Sequence, residues 1–212
     1  RIQVELVKML VSNHPERIRT AYELGITKVI LPEFDRMMET EQETPHHIYS
    51  VGEHTVKAIE NIRSDKALRL TMLLHDVAKP NKKTMDENGT AHFYEHAAEG
   101  ERMAKAILRR LKFDNDTIRK VTKLVYYHDY RMPAKTKNVR RAMYKMGEEL
   151  FPLYLEVMLA DILAQSEYQR DEKLDNIEAI RRCYEEILEK NQCVSLKTLA
   201  VKGNDLIALG MK

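Results

Sequence analysis

The sequence predicts an all-α bundle with one small β-hairpin near 84–93, and three observations carry that expectation. Apolar residues recur at helical spacing along most of the chain. Glycine is scarce, 7 in 212 residues, and tryptophan is absent. At 43% hydrophobic, a chain of this length can bury a core in one domain with a small appendage.

The elements follow in order. Residues 2–11 place Ile2, Leu6, Val7 and Leu10 on one face, and the run Ser12 to Pro15 ends that helix. A second helix is expected from about Glu16 to Leu24, with Gly25 as its stop. Residues 30–47, with two prolines, read as an irregular connector. Ser50 and Glu53 form an S-x-x-E capping box that opens a helix at Val51, with Val51, His54, Ala58 and Ile62 on its inner face. Residues 66–79 are apolar nearly all round, as expected of a central buried helix, and Pro80 is the expected terminator. Asn88-Gly89 lies between short β-prone runs and predicts the hairpin. Further helices are expected over about 95–111, 116–128, 137–149, 152–169 and 172–190.

Charge and cysteine usage narrow the setting. A net charge of +2 excludes chain-wide attraction to nucleic acid, so any such binding must use a local patch. Cys183 and Cys193 offer no disulfide framework, and a reduced cytoplasmic location is expected. No window of about 18 unbroken apolar residues occurs, so neither a membrane span nor a secretory leader is expected. The chain opens on Arg1 and stops soon after the run DLIALG, which leads to the expectation of a piece of a longer protein.

The chemistry lies in six donors: His54, His75, Asp76, His96, His128 and Asp161. His54 shares a face with Val51, Ala58 and Ile62. His96 falls in line with Gly100, Met103 and Ile107, and His128 with Val121 and Val125. Asp161 stands in the apolar run Met158 to Ala164, where a lone charge would cost several kcal/mol without a cation. One inward histidine is usually a hydrogen-bonded core residue, and one aspartate can cap a helix. Six aimed at one interior predict ligation of one or two divalent ions. Imidazole with carboxylate suits Mn, Fe, Co, Ni or Zn better than Ca. Of the other histidines, His14 lies in a turn and His92 on the hairpin, while His46 and His47 precede the site helix within reach of a substrate.

The pattern His54, His75-Asp76, Asp161 resembles the HD superfamily of metal-dependent phosphohydrolases, and His96 and His128 resemble its two-metal subset. The segments TKVILPEFDRMMETEQETPHHIYSVGEHT, HDVAKP, FYEHAAEGERMAKAILRRLKF and LAVKGNDLIALG extend the likeness to the HD-containing C-terminal half of bacterial CCA-adding tRNA nucleotidyltransferases. That resemblance implies an HD-domain helical bundle over 46–192, a helical N-terminal segment over 1–45 and the start of a tail over 193–212. It also implies that His54, His75, Asp76 and Asp161 hold one ion, and that His96 and His128 hold a second, with Asp76 bridging. Two such ions about 3.5–4 Å apart can activate water and stabilise a leaving oxygen in phosphoester hydrolysis. Lys79, in the HD-x-x-K run, resembles the family's phosphate-binding lysine and joins Asp76 as a catalytic candidate. Its other reading is a charge that complements a helix C-terminus.

One departure matters. Nucleotide addition in that family requires a head domain with a Gly-Ser motif, and no Gly-Ser dipeptide occurs here. The formal D-x-D at Asp114 to Asp116 reads as a helix N-cap. This chain is therefore not expected to add nucleotides. Arg131, Lys135, Lys137, Arg140, Arg141 and Lys145 form a basic stretch without a carboxylate, flanked by Tyr126, Tyr127 and Tyr130. Arg131, Arg140, Arg141 and Tyr127 are substrate-binding candidates, although such a run is usually a solvated face. The leading expectation is a phosphohydrolase acting on a phosphorylated small molecule, a nucleotide or an RNA end. The alternatives are a tRNA-binding body and tail, and a di-iron oxygenase on the same fold.

Overall fold

In the computed structural model, which describes residues 1–44, 46, 48–192, 194, 203–208 and 210, the described elements are helical except for one two-stranded hairpin. The all-α expectation is correct. The chain begins with α1 (Ile2–Val11), a 3-10 turn (Pro15–Arg17), α2 (Ile18–Glu23), α3 (Ile26–Ile30) and α4 (Pro32–Met38). Of these, α4 corrects the irregular connector expected over 30–47. Pro32 interrupts the pattern in the sequence, yet it occupies the first turn of α4, where a missing N–H costs nothing.

Then come α5 (Val51–Glu60), α6 (Lys66–Leu74), α7 (Lys79–Lys82), β1 (Thr84–Met85) and β2 (Ala91–His92). Ser50 caps α5 by accepting from Glu53 N–H at 3.2 Å. The reciprocal half of the capping box is not made. The Glu53 carboxylate instead receives both arms of Arg19, at 2.8 and 2.7 Å, and ties α2 to α5. A second correction concerns the central helix: α6 ends at Leu74, and Pro80 sits in the first turn of α7 rather than closing α6. His75 to Ala78 form a turn between them, closed by Val77 N–H to Leu74 C=O at 3.2 Å and Lys79 N–H to Asp76 C=O at 3.0 Å. In the hairpin Thr84 pairs with His92 and Met85 with Ala91, and Gly89 supplies the φ of +75° that its turn requires.

The remaining helices are α8 (His96–Arg110), α9 (Asn115–Tyr127), α10 (Thr136–Met146), α11 (Phe151–Ala164), α12 (Arg170–Glu189) and α13 (Gly203–Ala208). Asp114 caps α9 by accepting from Thr117 N–H at 2.8 Å, as the N-cap reading required. α11 stops five residues before the expected 169, where Gln165 turns to an extended backbone.

The core explains the convergence of the donors. α6 is buried at Leu68, Leu70, Met72, Leu73 and Leu74 and packs against α1, α5, α9 and α11. α8 lies along α9, and α12 braces α10 and α11. One apolar cluster runs from Leu6 to Ile187, so the N-terminal helices share the core of the rest. Cys183 is half-buried and unbonded, while Cys193 and most of 195–212 lie outside the described residues. No described helix is long and apolar enough to cross a membrane.

Candidate metal centre

The six donors meet in one place. His54 comes from α5, His75 and His128 are the C-caps of α6 and α9, Asp76 sits in the turn after His75, His96 opens α8 and Asp161 lies on α11. Apart from His96, which is slightly exposed, none is more than 4% exposed. His54, His75 and Asp76 form one potential ion-binding group, and Asp76, His96 and His128 a second. Asp76 belongs to both. Asp161 lies beside the first, with Oδ1 at 3.0 Å from His54 Nε2 and 3.7 Å from His75 Nε2.

The imidazoles are oriented by their own backbone. His75, His96 and His128 each donate Nδ1–H to the carbonyl three residues earlier, on Met72, Phe93 and Val125, each at 2.7 Å. A carbonyl can only accept, so the proton lies on Nδ1, and a neutral ring then presents a lone pair at Nε2. Glu95, at φ +60°, forms the left-handed turn that places His96 over Phe93 C=O. The Nε2 atoms face one another: His96 Nε2 to His128 Nε2 at 3.1 Å, and His54 Nε2 to His75 Nε2 at 3.2 Å.

Electrostatics divide the two pairs. Burial resists charging of His75, but Asp76 and Asp161 outweigh it and push the ring up to about 10. Burial, reinforced by His128, pushes His96 down to about 4. Burial opposes ionisation of Asp76 and Asp161, yet the surrounding imidazoles, with Lys79 beside Asp76, hold both carboxyls well below the usual range. Neither oxygen of Asp76 has a well-oriented hydrogen-bond donor, although the Lys79 ammonium lies 2.8 Å from Oδ2. Two buried carboxylates with converging imidazole lone pairs fit a divalent cation in geometry and in charge.

A cavity of about 480 Å³ opens over the centre. Of the substrate candidates, Lys79 and Arg131 line it. Lys79 is buried, donates to Gln42 Oε1 at 2.8 Å and lies over the Phe93 ring. Arg131 Nη2 approaches Asp161 Oδ2 at 3.5 Å. Arg140, Arg141 and Tyr127 do not reach this cavity; Tyr127 packs instead beside Tyr126 and Tyr130. His46 does reach it, whereas His47 lies outside the described residues.

The sequence reading missed Gln165 and Lys173. Gln165 Nε2 donates to Asp161 Oδ2 at 3.0 Å, and Lys173 Nζ donates to Gln165 Oε1 at 2.8 Å while lying 3.1 Å from His46 Nδ1. Gln165 follows Asp161 by four residues, a helical spacing that could have revealed it. Burial and the nearby Arg131 push Lys173 down, which marks a crowding of positive groups at this wall.

Comparison with known proteins gives family matches at both ends of the chain. Residues 84–212 match the family described as "tRNA nucleotidyltransferase domain 2 putative", and residues 1–38 match "Probable RNA and SrmB- binding site of polymerase A". The chain is 31% identical over 178 residues to a CC-adding tRNA nucleotidyltransferase of Thermus thermophilus, covering 81% of this chain and 41% of that protein. It is 27% identical over 139 residues to a multifunctional CCA protein of Actinobacillus pleuropneumoniae, covering 61% and 33%. It is also 27% identical over 143 residues to a bifunctional uridylyltransferase/uridylyl-removing enzyme of Ruegeria pomeroyi, covering 57% and 14%. The chain thus spans about two fifths or less of each of these relatives.

Proposed function

The chain belongs to the tRNA nucleotidyltransferase domain 2 family, and from that premise we propose that it is the tRNA-binding body and tail of a nucleotidyltransferase-type enzyme, carrying a divalent-metal centre for phosphoester hydrolysis. The tRNA-binding part rests on the family match and on the CC- and CCA-adding relatives. Residues 46–192 would form the HD-type metal domain, with 1–45 and the tail from 193 as its RNA-binding flanks.

The hydrolytic part is a second reading, and one observation favours it: two pairs of imidazole nitrogens face each other beside buried carboxylates. A scaffold that only held RNA would have no use for that arrangement, which costs stability unless a cation occupies it. The uridylyl-removing activity in the name of the Ruegeria pomeroyi relative is in keeping with it. His54, His75, Asp76 and Asp161 would hold one ion, and Asp76, His96 and His128 a second. Such ions supply Lewis acidity toward phosphoryl oxygens and lower the pKa of water. The protein's own groups do the rest. Gln165 fixes Asp161, Lys79 and Gln42 fix the Asp76 side, and Arg131 and Lys173 offer charge to a phosphate entering the cavity.

Metal analysis of the purified chain tests this, combined with tRNA binding and a screen of phosphomonoesters and 2′,3′-cyclic phosphodiesters. One or two ions per chain, metal-dependent hydrolysis and retained tRNA are expected. A chain that binds tRNA but takes up no ion would reduce the reading to the scaffold alone. Bound iron with O₂ consumption and no hydrolysis would move the chemistry to oxidation.

A further inference from the structure

The cavity over the centre has two kinds of wall, and only one of them serves phosphate. Arg131 and Lys173 contribute positive charge beside Asp161, and His46 adds a hydrogen-bonding ring next to Lys173. The other wall is aromatic and comes from the strand leaving the hairpin: His92, Phe93 and Tyr94. Phe93 lies beneath Lys79, but Tyr94 is 71% exposed.

Tyr94 is nevertheless held in place. Its ring lies parallel to His92, with an interplanar angle of 5° and centroids 5.3 Å apart, and its hydroxyl is 3.4 Å from His92 Nδ1. His92 Nε2 is in turn 3.0 Å from Asp86 Oδ2. Asp86 is anchored by Asn88 N–H and Thr90 N–H, both donating to Oδ1 at 2.9 Å. The hairpin therefore presents an exposed aromatic ring at a phosphate-accepting cavity, already ordered by a chain of contacts that no ion requires. A ring ordered before binding loses little freedom when a planar ligand covers it.

We infer that the cavity is a nucleotide site in which the phosphate lies against Arg131 and Lys173 and the base stacks on Tyr94; this rests on the phosphohydrolase reading of the centre. The volume suits one nucleotide. Stacking on a ring is tolerant of base identity, so the site selects for a nucleoside phosphate over a sugar phosphate without reading sequence. The same chemistry is met in a free nucleotide and in the terminal nucleotide of an RNA.

Calorimetric titration of the metal-loaded chain tests the assignment with three probes: adenosine 3′-phosphorothioate, ribose 5-phosphate and a short RNA ending in a 3′-phosphorothioate. Metal content is measured on every variant. Tyr94→Ala should weaken adenosine 3′-phosphorothioate by about tenfold and ribose 5-phosphate by less than about twofold, and Tyr94→Phe should restore the loss. Lys173→Met should weaken all three probes. Tighter binding of the RNA than of the mononucleotide by the wild-type chain would identify an RNA end as the source, and the reverse a free nucleotide. If ions are present and Tyr94→Ala leaves adenosine 3′-phosphorothioate binding unchanged, or weakens ribose 5-phosphate equally, the stacking site is wrong. A wild-type chain without ions would instead remove the reading of the centre on which it rests.

Discussion

His96 and His128 point their Nε2 atoms at each other across 3.1 Å while each spends its Nδ1 proton on a backbone carbonyl of its own chain segment. The two pairs of facing imidazoles are not equivalent. His75 carries a proton near neutral pH, pushed up to about 10 despite its burial, and can donate it toward Asp76 or Asp161. His96, pushed down to about 4, brings none. Its lone pair faces the neighbouring ring, and Asp76 Oδ1 lies 3.5 Å from the Nε2 of both. That half of the centre most needs a cation.

Asp76 is the residue common to both groups of donors. Asp76→Asn preserves shape but removes the charge and one acceptor. The expected result is loss of all bound metal, read by elemental analysis of the dialysed protein, with hydrolysis lost as well. His128→Ala should cost one ion at most. If Asp76→Asn keeps the wild-type metal content and turnover, Asp76 is not the bridge.

Metal uptake should depend on pH in a way that separates the two groups. A ligating imidazole must be neutral at its bound nitrogen, so an ion entering beside His75 displaces the proton that Asp76 and Asp161 hold there against the effect of burial. Affinity at that position should rise about tenfold per pH unit between pH 6 and 8 and level off as pH nears about 10. His96 is already neutral across this range, so its deprotonation adds no slope on the other side. Titration with Mn²⁺ at pH 6, 7 and 8 should resolve a steep and a shallow step. Two steps of equal slope would mean that His75 does not hold its proton.

Helical spacing turned His54, His96 and His128 inward, and Asp161 stood out as a carboxylate in an apolar run, costly there unless something binds it. What surrounds them was harder to read. Pro32 and Pro80 read as breakers, yet each lies in the first turn of a short helix, and no local signal distinguishes the two uses. Glu53 completes a capping box by spacing, but Arg19, 34 residues earlier, claims its carboxylate. Lys173 reaches the centre only because α12 folds back along α11, a tertiary contact absent from any local pattern. Tyr127 precedes His128 and Arg140 and Arg141 follow it, yet of this stretch His128, Asp129 and Arg131 are the residues that line the cavity.

Gly52, two residues before His54, marks a close approach of α4 to α5. A methyl group there would lie 2.7 Å from both N and Cα of Met38 and would also strike its sulfur. Backbone cannot move aside as a flexible side chain can. Gly52→Ala should therefore destabilise the fold by about 3 kcal/mol in urea unfolding, as overpacking of a tight contact does. It should also weaken metal uptake, because α5 carries His54. An unchanged unfolding midpoint would mean that α4 can shift outward at no cost, which its packing on both α3 and α5 opposes.

Arg140 and Arg141 lie on α10, outside the cavity, on a helix that carries Lys137 and Lys145 and no carboxylate. If this face meets the phosphates of tRNA, its charges act at a distance from the ions, and the two functions should separate. Arg140→Ala with Arg141→Ala should leave hydrolysis of a small phosphoester unchanged, because neither side chain touches the space where that ester sits. Binding of tRNA should weaken several-fold at moderate salt. The dependence of log affinity on log salt should become shallower by about 2, because each arginine neutralises one phosphate. The salt slope is the decisive readout, since damage to the fold would lower affinity without changing the number of counterions released. Should the double variant lose small-ester hydrolysis while it remains folded and metal-loaded, α10 contributes to the active cavity, and the separation of RNA binding from chemistry fails.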